Sequence, residues 1–166
     1  MATPSKGQRR HVLRYDKHMP DVDDVSLIVL KGHLLIEEML LELAVLIVEQ
    51  PKHLHEANLS FHKLACIVRA LIAEKPDDKR WELILDINSL RNQLAHKLEP
   101  HDLDRRIAKI LGLDKEVQPT EGITLDKSAE NFKPPEGLRQ AIVSCMQFLQ
   151  GAIARRSPNS GAPTIA

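Results

Sequence analysis

At 166 residues and 43% hydrophobic content, the chain is long enough for one domain with a real core, since single domains commonly run to about 100–150 residues. Lys plus Arg and Asp plus Glu stand at 23 each, so no overall charge draws the protein to nucleic acid or an anionic membrane, and any grip on RNA must be local. Cys66 and Cys145, both inside apolar helical patterns, exclude a disulfide framework and a paired-cysteine motif and fit a reducing cytosol.

Residues 1–22 read as a flexible basic arm. Lys6, Arg9, Arg10, Arg14 and Lys17 without an apolar run argue against a signal peptide, leaving a solubilising tail or a salt-sensitive contact to an RNA backbone. A single helical domain follows over 23–155. Asp23 or Asp24 caps a long first helix that runs to about Gln50, before Pro51, with Leu27, Leu30, Leu34, Leu35, Met39, Leu43, Leu46 and Ile47 as its apolar stripe. Glu37, Glu38 and Glu42 interrupt that stripe, and a membrane span needs about 20 mostly apolar residues. A second helix, capped by Asn58 or Ser60, continues to Ala73 with Phe61, Leu64, Ala65, Val68 and Leu71 inward, and Pro76 breaks it.

The third helix, from about Asp78 to Lys97, packs through Trp81, Ile84, Leu85, Ile87, Leu90 and Leu94 and ends before Pro100. A short fourth helix spans His101 or Asp102 to Leu111 and is stopped by Gly112. Residues 113–135 form a long loop, briefly extended at Gly122 to Leu125. A fifth helix covers about Glu136 to Arg155, with Leu138, Ile142, Cys145, Met146, Leu149 and Ile153 on one side, and residues 156–166 are a disordered tail. The pattern predicts an all-α, up-and-down helical bundle of about five helices with a long first helix, soluble and cytoplasmic. There is no repeat, glycine-rich phosphate loop or metal motif of fixed spacing, so neither metal nor cofactor is expected. His53, His55 and His62 lack a third ligand at a familiar spacing, and Trp81 is the only tryptophan, too little aromatic surface for base stacking.

Chemistry concentrates in Arg91-Asn92-Gln93-Leu94-Ala95-His96 on the third helix. An imidazole titrates near neutral pH, at about 6.5, and a guanidinium forks onto phosphate oxygens without losing its charge. Cleavage of a phosphodiester needs both, a base or acid for the attacking hydroxyl and a cation for charge growing on phosphorus. Asn88, Asn92 and His96 recur at i, i+4 and i+8 along an otherwise apolar helix, where polar groups are expensive unless partnered. Arg91 and His96 lie about 140° and 7.5 Å apart on a straight helix, so a single copy does not set them on one face. Two such helices meeting across a two-fold axis would supply each cleft from both chains.

A long amphipathic first helix, and a later helix carrying an arginine, a spacer of four to six residues and a histidine, resemble the HEPN superfamily. The resemblance covers about Ser26 to Leu111, with Arg91, four intervening residues, His96, and the polar Asn92 directly after the arginine. It implies a metal-independent endoribonuclease, often a toxin or defence protein with a cognate antitoxin, whose cleft forms across a homodimer. Arg91 and His96 would be the catalytic pair and Asn92 an auxiliary group. Some family toxins carry a tyrosine two residues after the histidine; Leu98 stands there in this chain.

Plainer readings stand beside these. Arg91 forms an ion pair with Glu37 or Glu38 of the first helix, His96 satisfies free carbonyls at a helix end, and Asn88 bridges buried helices. His33 and Glu37, at i and i+4, either face the motif or form an interhelical or solvated pair. The rival function is a non-catalytic dimerisation or protein-interaction module that uses the motif as a clamp.

Overall fold

The computed structural model describes residues 6–72, 78–97, 100–117 and 133–157. Among them are seven helices and no strand: α1 Lys6–His18, α2 Val25–Ile47, α3 Pro51–Glu56, α4 Phe61–Ile72, α5 Lys79–His96, α6 Leu103–Val117 and α7 Pro134–Arg156. The all-α expectation holds, and the expected five helices become seven.

Helix α2 is the axis of the fold. Asp24 caps it, its carboxylate accepting from the Leu27 amide at 2.9 Å and so satisfying one of the free donors of the first turn. Ile28, Val29, Leu35, Ile36, Met39, Leu40, Leu43 and Ala44 are buried against α7, α4 and α5. From α7 come Leu138, Ala141, Ile142, Cys145, Leu149, Ala152 and Ile153, and from α5 Trp81, Leu83, Ile84, Ile87 and Leu90. Burial holds the Cys145 thiol well above the usual range, so it packs as a small apolar group. No helix among the described residues is long and apolar enough to cross a membrane.

Three expectations are corrected. The arm over 1–22 is helical across Lys6–His18. Its backbone is recruited by tertiary contacts: His11 is buried at 7% exposure, Tyr15 packs on the core, Arg10 pairs with Glu42, and Arg14 reaches Glu38 at 2.6 Å. Arg139 of α7 ties the following link, donating to the Val22 carbonyl at 2.8 Å, the Pro20 carbonyl at 3.1 Å and Asp23 at 3.2 Å.

The first long helix ends at Ile47, not Gln50, and the unforeseen α3 follows. Pro51 accounts for both: it drives Gln50 out of the α region, to φ −123° and ψ 75°, and its own fixed φ suits the first position of α3. Asn58, at φ 45°, takes the left-handed turn that an asparagine tolerates, and the Ser60 carbonyl accepts from Leu64 to open α4.

Gly112 does not stop the fourth helix, which runs on to Val117 as α6. Ile107, Ile110, Leu113 and Asp114 keep the inward period past the glycine, and burial of that next turn outweighs its weak helix preference. Of the expected loop, 113–117 therefore belongs to α6, and the stretch with Gly122 to Leu125 lies outside the described residues, as do Pro76 and most of the tail.

Two glycines inside helices should respond oppositely to the same change. A Cβ on Gly32 would lie 2.2 Å from Cδ1 and 2.6 Å from Cγ1 of the buried Ile142, whereas one on Gly112 meets nothing within 4 Å. Gly112→Ala should therefore raise the unfolding free energy by about 0.5–1 kcal/mol. Gly32→Ala should lower it by about 1–2 kcal/mol, overpacking outweighing helix propensity. In an Ile142→Val background the Gly32→Ala cost should shrink, which urea unfolding of the four proteins measures.

Candidate functional site

The motif helix is fixed at both ends. At its start Asp78 is the N-cap, accepting from the Arg80 amide at 3.0 Å and from Arg80 Nε at 2.8 Å. The Arg80 guanidinium lies over the Phe148 ring at 4.3 Å, and Trp81 meets the same ring edge-on at 5.2 Å. At its end the Lys97 amide donates to the Gln93 carbonyl at 3.0 Å, closing the last turn.

Between these anchors α5 is keyed to α2 by a polar contact within an apolar seam. His33, 3% exposed, places Nε2 3.0 Å from Asn88 Oδ1 and stacks on Phe61 of α4 with ring centroids 4.2 Å apart. A carboxamide oxygen can only accept, so His33 holds its proton on Nε2. Its Nδ1 is buried without a partner. Burial, with Arg91 adding to it, lowers the His33 pKa below the ordinary 6.5, against the opposing effects of the Asn88 bond and the Glu37 carboxylate. The imidazole is thus neutral at neutral pH. The lone histidine on an apolar helix was a visible signal, but its partner lies 55 residues away.

Arg91 is half-buried beside this contact. Its Nη1 donates to Asn92 Oδ1 at 3.1 Å, and its Nε is buried with no partner. It makes no ion pair with Glu37 or Glu38 among the described residues, since Glu38 is taken by Arg14. Burial without a carboxylate leaves a cation whose charge is uncompensated by the fold and available to an anion.

His96 is exposed at the last position of α5, with no hydrogen bond or ion pair to any described residue. The carbonyl-satisfying role falls instead to the Lys97 amide. Arg91 and Asn92 are therefore brought together, while His96 stands apart on another face, as helical geometry requires at a separation of about 140°. Asn92 shares its stripe with His96 at i+4 and its amide oxygen with Arg91, linking the two faces.

Elsewhere His62 Nε2 and Cys66 Sγ approach to 3.6 Å on the exposed face of α4, and no group of three metal-binding side chains gathers among the described residues.

The two buried imidazoles set an acid limit on stability. His11 is also lowered, by burial and by Arg10 and Arg14 against Glu42 and Glu38. A depressed folded-state pKa means that the unfolded chain binds more protons once pH falls below about 6.5, so the stability present above that value is lost on acidification. The denaturation midpoint should fall between pH 7.5 and pH 5.5, and His33→Gln, which keeps a donor for Asn88 but cannot titrate, should make the fall shallower. An identical pH slope in the variant would rule His33 out as a source.

Comparison with family models, curated proteins and solved structures finds no match to this chain.

Proposed function

We propose that this chain is a HEPN-type, metal-independent endoribonuclease that works as a homodimer, with Arg91 and His96 as its catalytic pair and Asn92 as their auxiliary. The observation that carries the reading is the state of Arg91: a half-buried guanidinium with no carboxylate, held only by the neighbouring Asn92 amide. A half-buried guanidinium without a carboxylate is held at a cost, and an anionic substrate supplies the missing counter-charge. His96, exposed and uncommitted on the same helix, is placed for proton transfer.

In this reading His96 takes the proton of an RNA 2′-hydroxyl as that oxygen attacks the adjacent phosphate, or gives one to the leaving oxygen. Arg91 stabilises the charge that grows on the phosphoryl oxygens. Dependence on the 2′-hydroxyl makes RNA the substrate and leaves DNA uncut. Because Arg91 and His96 face apart in one protomer, the site is completed by a second copy, the motif helices of an up-and-down bundle facing each other across the two-fold axis. A cytoplasmic toxin or defence role, restrained by a cognate antitoxin, follows from the same family likeness.

A second reading rests on a different observation. Leu30 and Leu34 of α2 and Ile67 and Leu71 of α4 are exposed at i, i+4 spacing, apolar surface of the kind a protein partner covers. A non-catalytic interaction module would use that surface and keep Asn88 and Arg91 as structure.

Arg91→Ala and His96→Ala should each slow cleavage of a single-stranded RNA by at least about 100-fold in the presence of a chelator, with the helical circular dichroism and the oligomeric state unchanged. His96→Ala should also relieve any growth arrest caused by expressing the native chain. Cleavage at the native rate in both variants, or a native chain that cuts no RNA, would leave the module.

A further inference from the structure

Arg91 is not alone in lacking a carboxylate. A cavity of about 410 Å³ on the α5–α6 seam is lined by Asp86, Arg105, Arg106 and Lys109, three cations against one anion. The outer two are partly neutralised: Arg105 reaches Asp102 at 3.3 Å, and Lys109 reaches Asp86 at 2.7 Å and Glu82 at 3.5 Å. Arg106 is half-buried and donates to the Ser89 hydroxyl at 3.2 Å, with no ion pair to any described residue. In a chain whose formal charges sum to zero, and with Arg105 and Lys109 facing Asp102, Asp86 and Glu82, Arg106 is the cation of this hollow that no carboxylate of the described residues meets.

Ser89 relates the hollow to the motif. Ser89, Asn92 and His96 stand at i, i+3 and i+7 on α5, within one stripe, so Arg106, bonded to Ser89, lies beside the face that carries His96. Ser89 and His96 are about 10.5 Å apart along that stripe, a reach of a few nucleotides of extended strand. Asn92 and His96 are both exposed on that stripe.

We infer that this groove binds the phosphates of the RNA strand flanking the cleavage point, with Arg106 as its principal contact and Arg105 and Lys109 at its rim. The inference rests on the endoribonuclease reading for its substrate and adds the surface that holds it. Guanidinium pairs with phosphate by two parallel hydrogen bonds, and a lysine held by two carboxylates contributes less, so the order of importance is Arg106, then Arg105, then Lys109.

The test uses the full chain and a fluorescein-labelled 2′-O-methyl RNA, which binds as RNA but lacks the attacking hydroxyl. Its affinity should fall with salt, with a log–log slope of about −0.7 for each phosphate contacted. Arg106→Ala should weaken binding about tenfold at low salt and flatten the slope by about one such contact, Arg106→Lys should restore much of both, and the triple alanine variant should lose still more. Native affinity and slope in the triple variant, with its helical spectrum intact, would overturn the groove. The two readings fail separately. Groove-dependent binding by a chain that cuts no RNA keeps the groove and removes the nuclease, whereas His96-dependent cutting with binding indifferent to Arg106 removes only the groove.

Discussion

One part-buried hydrogen bond, from His33 on α2 to Asn88 on α5, fixes where the motif helix sits. Apolar seams are forgiving, because side chains of similar size exchange places with little loss, and a helix sliding by one turn of about 5.4 Å finds another set of neighbours. A polar pair set in such a seam is less forgiving, since slippage would leave the buried His33 donor without a partner at about 1–3 kcal/mol. His33 is further confined by its stack on Phe61, which brings α4 into the same register. Three helices are therefore indexed to one imidazole, and Arg91, three residues beyond Asn88, inherits its position from that bond.

Charge is distributed so that Arg91 is left over. Of the acidic residues on α2, Glu38 and Glu42 are engaged by Arg14 and Arg10 of α1. The basic character of the N-terminal residues thus serves the interior arrangement of charge as well as the surface. Each of these pairs is substantially exposed and contributes only about 0.2–1 kcal/mol to stability, so their larger effect is on which carboxylates are free to meet α5. Glu37 is near enough to influence His33 electrostatically but forms no ion pair with Arg91. The result is an overall neutral molecule with two guanidiniums, Arg91 and Arg106, that the fold supports through an amide and a hydroxyl.

How much of this was legible in the sequence depends on the distance over which each feature is decided. Helices α2, α4, α5 and α7 are announced locally, by apolar positions that recur every three or four residues and, for α2 and α5, by Asp24, Pro51 and Asp78 at their boundaries. Helix α1 was not, because its sequence has few apolar positions and its helix is completed by Glu38, Glu42 and the core beneath Tyr15. The six residues of α3 are too few for a period to show. Gly112 misled because a glycine ends a helix only where the chain has no further buried turn to gain, and Leu113 and Asp114 supply one. At the candidate site the motif residues were readable by type and spacing, while the tie between His33 and Asn88 is a property of the packed fold.

The organisation of α5 explains why this helix, rather than another, gathers unpartnered polar groups. Its buried residues, Trp81, Leu83, Ile84, Ile87 and Leu90, face more than one neighbour, so the helix is not a simple amphipathic rod but a divider among α2, α6 and α7. The polar positions left to it are the edges of those contacts. One edge, at Asn88 and Arg91, borders α2, where a neutral imidazole donates to the Asn88 amide oxygen but nothing neutralises the arginine. The other, at Ser89, Asn92 and His96, borders α6, where Arg106 meets the serine. Asn92 alone touches both, bonded to Arg91 and a turn before His96. A reaction that uses the guanidinium and the imidazole together must therefore bridge the two edges. On the proposed reading it does so with a second protomer, whose motif helix turns the opposite edge to the same strand, and the Arg106 groove then lies where that strand approaches.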